Sequence, residues 1–168
     1  SGAAVEAYRA PGFSLTLPYL HRYQILSSLG IKHDFSLFDG KASHGGIKIP
    51  DDLSFFNLTT YHGNIFLSPF KRSVILGKRI AVLGGGYFRL CPYQIVSNAL
   101  SKNSTAVTYF HPRDFDETQP KIPGLSLARQ FKSYVGIKGA FSKLRRMLNE
   151  HDFVEPNDYI NLKDSKET

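Results

Sequence analysis

Along the 168-residue chain the spacing of apolar positions switches repeatedly between helical and extended periods. Tyr19, Tyr23 and Leu26 recur at i, i+4 and i+7, with Thr16 near the N-cap, Pro18 in the first turn and Gly30 where a C-cap glycine belongs. They predict a helix over 17–29. Tyr93, Val96 and Leu100 predict a second over 92–102, opened by Pro92, and Phe141, Leu144 and Leu148 a third over 140–150. Residues 125–134 read as a short helix or a loop. β-Branched and aromatic runs predict strands over 4–8, 79–83 and 105–110, with further ones at 64–68 and 73–76. The stretch 31–38 reads as a strand turning into a loop, and Phe153-Val154 opens a last strand. Helices alternating with strands predict an α/β fold with strands parallel in a curved sheet.

Between 39 and 62 the pattern breaks down. Gly40, Gly45, Gly46, Pro50 and Asp51-Asp52 mark an irregular excursion, and loops longer than about 12–15 residues are often functional. His44 and His62 lie inside it and His33 just before it. Their spacing fits neither a helical i, i+4 pair nor a zinc pattern, so His33 and His62 read as surface histidines and no metal ligand is assigned. The polar residues 163–168 read as a mobile tail.

Composition narrows the class. A 42% hydrophobic content with 13 Phe and 9 Tyr fits one folded domain and argues against disorder. Cys91 alone excludes an internal disulfide and a cysteine-rich zinc site. No apolar run reaches the length of a membrane span. The cytosol and the periplasm suit such a chain equally. A formal charge of +7 favours anionic partners: nucleic acid, membrane surface or acidic glycan. The cations are scattered, however, and Lys143, Arg145 and Arg146 form the only tight cluster, which reads as a solvated helix face. No nucleic-acid motif is present, so nucleic acid is set aside as a partner.

Three stretches carry candidate chemistry. Tyr109-Phe110-His111-Pro112 ends the 105–110 run with an imidazole, a group able to pass a proton at neutral pH, at the end of a strand where barrel enzymes keep their chemistry. Arg9-Ala10-Pro11-Gly12-Phe13-Ser14 is a turn flanked by a fixed cation and an aromatic wall. Gly84-Gly85-Gly86 follows a strand and precedes a helix but lacks the P-loop lysine and the Rossmann spacing. It suggests close backbone approach to a ligand, with Tyr87 and Arg89 pointing into it.

Taken together, Tyr8-Arg9-Ala10-Pro11-Gly12-Phe13-Ser14, Gly84-Gly85-Gly86-Tyr87-Phe88-Arg89-Leu90-Cys91-Pro92-Tyr93, Tyr109-Phe110-His111-Pro112 with Asp116, and Pro123-Gly124-Leu125-Ser126-Leu127 resemble the C-terminal part of a polysaccharide deacetylase of the NodB-homology type. The likeness is to the bacterial subgroup found with exopolysaccharide biosynthesis, which carries an extra C-terminal region, here about 113–162. It implies that residues 1–162 form part of a distorted (β/α) barrel of the glycoside hydrolase/deacetylase type, lacking its first strands. It also implies metal-dependent removal of N-acetyl or O-acetyl groups from a polysaccharide or oligosaccharide, with zinc first among divalent ions in the complete enzyme.

By the same resemblance His111 is the general acid, Arg9 orients a catalytic aspartate, and Asp34 helps to hold Arg9. The Gly12 N–H is an oxyanion donor, and Phe13, Tyr87 and Arg89 stand near substrate. The family's Asp-Asp and His-x-x-x-His motifs, which lie upstream of the arginine and supply base and metal ligands, do not occur before Arg9 in this sequence. The chain is thus expected to bind no metal by itself and to act with a missing N-terminal half or a second copy. The alternative is a non-catalytic glycan-binding or scaffolding protein. A barrel lacking its first strands leaves a sheet edge open, to be covered by a second copy, a partner chain or the 39–62 excursion.

Overall fold

The computed structural model describes residues 4–15, 20–41, 45–50, 53, 55–103 and 105–159. Thr16, Pro18, His44 and the 163–168 tail lie outside the described residues. The chain is mixed α/β and divides into two compact units, Ser1–Lys71 with Phe153–Thr168, and Arg72–Asp152.

The first unit is built on a four-stranded sheet of order β1-β2-β4-β3: β1 (Ala7–Tyr8), β2 (His33–Asp34), β3 (Phe56–Thr60) and β4 (Gly63–Leu67). β1 pairs parallel with β2 and β2 parallel with β4, while β3 runs antiparallel to β4. Helix α1 (Leu20–Ser28) is the crossover between β1 and β2, so the expected helix-then-strand order forms a βαβ unit. Gly30, at φ 82°, ends α1 as expected. Its N–H donates to Ser27 O at 3.0 Å and that of Ile31 to Leu26 O at 3.1 Å, the paired bonds of a Schellman motif.

Parallel register puts Asp34 and Leu67 on one face of the sheet, His33 and Phe66 on the other. The α1 side holds the core of Ala10, Leu15, Tyr23, Leu37, Ile49, Ile65 and Leu67. On the opposite face His33 stacks on Phe66 with ring centroids 5.9 Å apart, and Phe55 stacks on Phe66 and meets Tyr159 edge-on. His33 is therefore buried, contrary to its expected place at the surface, and its Nε2 pairs with Asn157 Oδ1 at 2.7 Å. The reason is that the last part of the chain returns to this unit: the described residues after Phe153 form no strand but a helical turn at 156–159. His62 is exposed, as expected.

The 39–62 excursion is irregular only in its first half. Its second half is β3, whose Phe56, Leu58 and Thr60 are partly buried while Asn57 and Thr59 are exposed. A two-residue turn, Tyr61-His62, joins it to β4, and β3 covers the outer edge of β4. On β1 the Glu6 and Tyr8 carbonyls face β2, so the Ala7 amide and carbonyl point outward. No strand among the described residues pairs with that edge.

In the second unit, β5 (Ser73–Ile75) and β6 (Lys78–Ile80) form an antiparallel hairpin around Leu76-Gly77. The expected parallel strand at 79–83 is thus corrected: it ends at Ile80, because Val82-Leu83 turn into α2 (Gly85–Leu90). The expected 105–110 strand is corrected too. It keeps a single parallel bridge, Gly84 to Tyr109, since its neighbour enters a helix at Gly85 and offers no further rungs. Helices α3 (Tyr93–Ser101), α4 (Leu127–Tyr134) and α5 (Ala140–Glu150) complete the unit, and 125–134 resolves as helix.

Candidate functional site

The candidate residues fall in both units, with Arg9, Gly12, Phe13 and Asp34 in the first and Tyr87, Arg89 and His111 in the second.

In the first unit the turn after β1 is a 3₁₀ turn, Pro11–Phe13, with Gly12 at φ 63° and Phe13 at φ 56°. A phenylalanine in the left-handed region is strained and persists only where packing holds it. Phe13 is buried, its ring 5.3 Å from Phe38 and 6.0 Å from Phe70, whose rings stack within 6° of parallel. It is a core wedge, which corrects its expected place beside substrate. Its burial forces the turn outward, leaving Gly12 exposed with an N–H that takes no acceptor among the described residues. Such a donor is free to meet a developing oxyanion.

Asp34 does not hold Arg9. Its Oδ1 accepts the Ser36 N–H at 3.0 Å and the Tyr23 hydroxyl at 3.4 Å, and its Oδ2 accepts the Ser36 hydroxyl at 2.6 Å. Alternation along β1 explains the correction. Tyr8 is paired with Asp34, so Arg9, one residue on, leaves by the opposite face, where it is exposed. Asp34 acts on the turn by another route, because Ser36 Oγ also accepts the Ala10 N–H at 2.8 Å. Burial pushes the Asp34 carboxyl above its ordinary value, and the Ser36 and Tyr23 bonds pull it back in part. Burial likewise raises the Tyr23 phenol, helped by the adjacent Asp34 charge.

In the second unit His111 is exposed, and it is gripped at two points. Its N–H donates to Asp114 Oδ2 at 2.9 Å, and its Nε2 lies 2.6 Å from the Tyr109 hydroxyl, the two rings meeting edge to face. Asp114, on the 3₁₀ turn Pro112–Asp114, is buried, with Oδ1 3.3 Å from Arg89 Nε. The Arg89 guanidinium also donates to Ser133 O at 2.7 Å and Lys132 O at 3.0 Å, the last-turn carbonyls of α4. Arg89 is therefore not directed at a ligand, which corrects the expectation. Its side chain is spent on fastening α2, α4 and the His111 turn to one another. Burial lowers its proton affinity and Asp114 opposes that.

Tyr87 does stand at a surface. With Gly86 and Leu90 of α2, and Ala128, Phe131, Lys132 and Val135 from the α4 side, it lines an open groove of about 570 Å³. The Gly84-Gly85-Gly86 run has a structural use as well: Gly84 is the N-cap of α2 and Gly85 takes φ 51°.

A model of the family described as a domain of unknown function, DUF3473, matches residues 36–161, well over half of the chain. The chain belongs to that family. DUF3473 is the domain found in exopolysaccharide-associated proteins of the polysaccharide deacetylase family. No curated protein and no solved structure matches the chain.

The DUF3473 match contains His111, Tyr87 and Arg89, while Arg9, Gly12, Phe13 and Asp34 precede it. Sequence reasoning missed Asp114 and Lys143. Asp114 reads as a turn acid, and its position three residues after His111 is the signal that it takes the backbone of that turn. Lys143 reads as part of a solvated basic face, yet its Nζ donates to the carbonyls of Phe88 (2.9 Å), Arg89 (3.0 Å) and Cys91 (2.6 Å), closing the C-terminus of α2. Of the same cluster, Arg146 pairs with Glu150 at 2.6 Å and lies over the Tyr93 ring at 4.1 Å.

Among the described residues no three His, Cys, Asp or Glu side chains stand close enough to hold a metal ion. Around His111 the available carboxylate, Asp114, is committed to Arg89 and to backbone. The described side chains therefore do not fit a divalent-ion site.

Proposed function

We propose that this DUF3473 chain takes part in deacetylating an N-acetylated or O-acetylated polysaccharide, with His111 as the proton donor to the leaving group. The observation that carries the reading is the way His111 is held. An exposed imidazole is fixed at its backbone by buried Asp114, itself held by Arg89, and at its ring by Tyr109. A general acid needs this combination of open access and fixed position. Family membership supports the same direction.

In this reading His111 of the second unit gives a proton to the departing amine or alkoxide. The first unit by itself offers the exposed Gly12 N–H, a hydrogen-bond donor of the oxyanion type. Arg9 contributes a fixed positive charge, and Phe13 and Asp34 shape the Gly12 turn. A divalent ion, expected from the family chemistry, takes no ligand set from the described residues, and no step is assigned to it. The partial (β/α) barrel belongs to the same proposal, with β1, α1 and β2 as one of its repeating units.

The test measures acetate release from N-acetylated and O-acetylated oligosaccharides, using the chain joined to the protein sequence encoded directly upstream of it. His111→Ala should lower turnover by about 10²–10⁴-fold while leaving zinc affinity unchanged. Glycan binding without acetate release would sink the enzyme reading in favour of a non-catalytic glycan-binding protein. Tight stoichiometric zinc binding lost in His111→Ala would make the residue a ligand instead.

A further inference from the structure

We propose that the Arg72–Asp152 unit docks peripherally on an anionic lipid surface through α4 and the groove between α2 and α4. The first ground is the placement of charge. This unit holds thirteen Lys and Arg against five Asp and Glu, a formal +8, whereas the rest of the chain holds eight against nine. All of the chain's excess positive charge is therefore carried by one unit.

The second ground is an apolar face in that same unit. Leu127, Ala128 and Phe131 fall on one stripe of α4, and no residue of α4 is buried. Leu127 is 84% exposed and Phe131 57%. Tyr87 and Leu90 of α2, about half exposed, extend this stripe across the groove. The groove is firmly built: Arg89 ties the last turn of α4 to the Asp114 turn, and Lys143 closes α2. A contiguous exposed apolar surface of this kind marks an interaction site.

Cations flank the face. Arg129 and Lys132 lie on α4, and Lys132 lines the groove. The Tyr134 hydroxyl accepts the Ile122 N–H at 2.7 Å and donates to Pro120 O at 3.2 Å, which pins Lys121 and half-exposed Ile122 beside α4. Leucine and phenylalanine bordered by lysine and arginine is the composition of a helix lying in a bilayer interface, apolar side chains among the acyl chains and cations among the headgroups. An acidic glycan would meet the charge but give Leu90 and Leu127 no apolar partner. A second copy would bring another unit of formal charge +8, with its own Arg129 and Lys132, against the same face. Among the described residues no helix is long and apolar enough to cross a bilayer, and the contact proposed is with its surface.

The test uses the 168-residue chain and two kinds of vesicle, pure phosphatidylcholine and phosphatidylcholine with about one-third phosphatidylglycerol. The chain should sediment with the anionic vesicles at low salt, and raising the salt should weaken that binding. Leu127→Asp/Phe131→Asp, at exposed positions where the circular-dichroism spectrum should stay unchanged, should weaken it about tenfold or more. Arg129→Glu/Lys132→Glu should do the same by the electrostatic route. Equal sedimentation with both vesicles, none with either, or binding that survives both double substitutions overturns the proposal. So does a concentration-dependent dimer, or binding of a soluble acidic polysaccharide, that is lost in Phe131→Asp while vesicles are ignored.

Discussion

Arg89 and Asp114 face each other with Nε 3.3 Å from Oδ1, their side chains only 5% and 6% exposed. The pair is an ion pair by distance without a well-aligned hydrogen bond at Nε, and Asp114 spends its other oxygen on the His111 N–H. Removing one member of a buried pair strands the other, at a cost of about 3–5 kcal/mol. Asp114→Ala should therefore destabilise the chain by about that amount in urea unfolding. Arg89→Met/Asp114→Ala should cost less than the sum of the two single changes. Strict additivity would show that the pair is not energetically coupled.

Gly136 packs on the backbone of the same arginine. A Cβ there would stand 2.4 Å from Arg89 O and 2.7 Å from its carbonyl carbon, and the residue sits at φ 66°. The obstacle is backbone held by Lys143, so it cannot swing aside. Gly136→Ala should lower stability by about 2–4 kcal/mol, more than the same change at Gly124, which also has positive φ but meets nothing within 4 Å. Equal losses at the two positions would mean that conformation alone matters and the close approach does not.

Leu76 is 98% exposed and sits at φ 48°, followed by Gly77 at φ 76°. Two successive left-handed residues make a hairpin turn that favours Asn-Gly. Leucine contributes no burial here and bears the strain of the left-handed region. Leu76→Asn should raise stability by about 0.5–1 kcal/mol, read as a higher midpoint in thermal unfolding. A lower midpoint would indicate that Leu76 has a partner outside the described residues.

Helices α1, α3 and α5 were legible because their apolar spacing, Pro92 and Gly30 act locally, whereas α2 lay hidden in the glycine run. In the second unit the 73–76 strand was legible and is β5, but the 105–110 run was not a strand, since a β-branched run becomes one only when a neighbour continues beside it. Residues 105–110 lose theirs when the chain enters α2 at Gly85. β3 was hidden for the converse reason: its alternation at Phe56, Leu58 and Thr60 is real, but the Tyr61-His62 turn carries no turn signal before Gly63. For the site, residue types were readable and directions were not. Arg9 directly follows β1 and Asp34 lies on its partner β2, yet the alternation that separates their faces depends on a register no sequence prints. Arg89 looked like a ligand-facing cation because nothing local reveals that Asp114 and the end of α4 lie against it.

Asp34 gives stability a pH dependence of definite sign. Burial raises its folded-state carboxyl above the ordinary value of 3.8. Between that value and the folded one the native chain holds more protons than the unfolded chain, so stability falls as pH rises. Asp34→Asn removes the titration. The advantage of the wild-type chain over Asp34→Asn should therefore be greatest near pH 3–4 and shrink as pH rises through the folded value, measured by urea unfolding at each pH. An advantage that grows with pH would mean the carboxylate is stabilised in the fold, with its Ser36 and Tyr23 bonds outweighing burial.

Tyr109 fixes which nitrogen of His111 carries the proton. A neutral imidazole offers one donor and one acceptor, and the partner of one nitrogen decides the state of the other. The Tyr109 hydroxyl sits 2.6 Å from Nε2, and a phenol keeps its proton at neutral pH and is the stronger donor of the two. Nε2 then accepts, and the hydrogen of the neutral ring is expected on Nδ1. As the proton donor proposed above His111 must first be the imidazolium, with a hydrogen on each nitrogen; giving up the Nδ1 hydrogen then leaves Nε2–H donating to the Tyr109 hydroxyl. Nitrogen NMR of the neutral ring should find the Nδ1–H tautomer in the wild-type chain and a shift toward Nε2–H in Tyr109→Phe. In the active assembly the same substitution should lower kcat with little change in KM, because the lost contact orients a catalytic group and touches no substrate. A wild-type ring already in the Nε2–H form would reverse the donor and acceptor and remove Tyr109 from this role, whatever His111→Ala does to turnover.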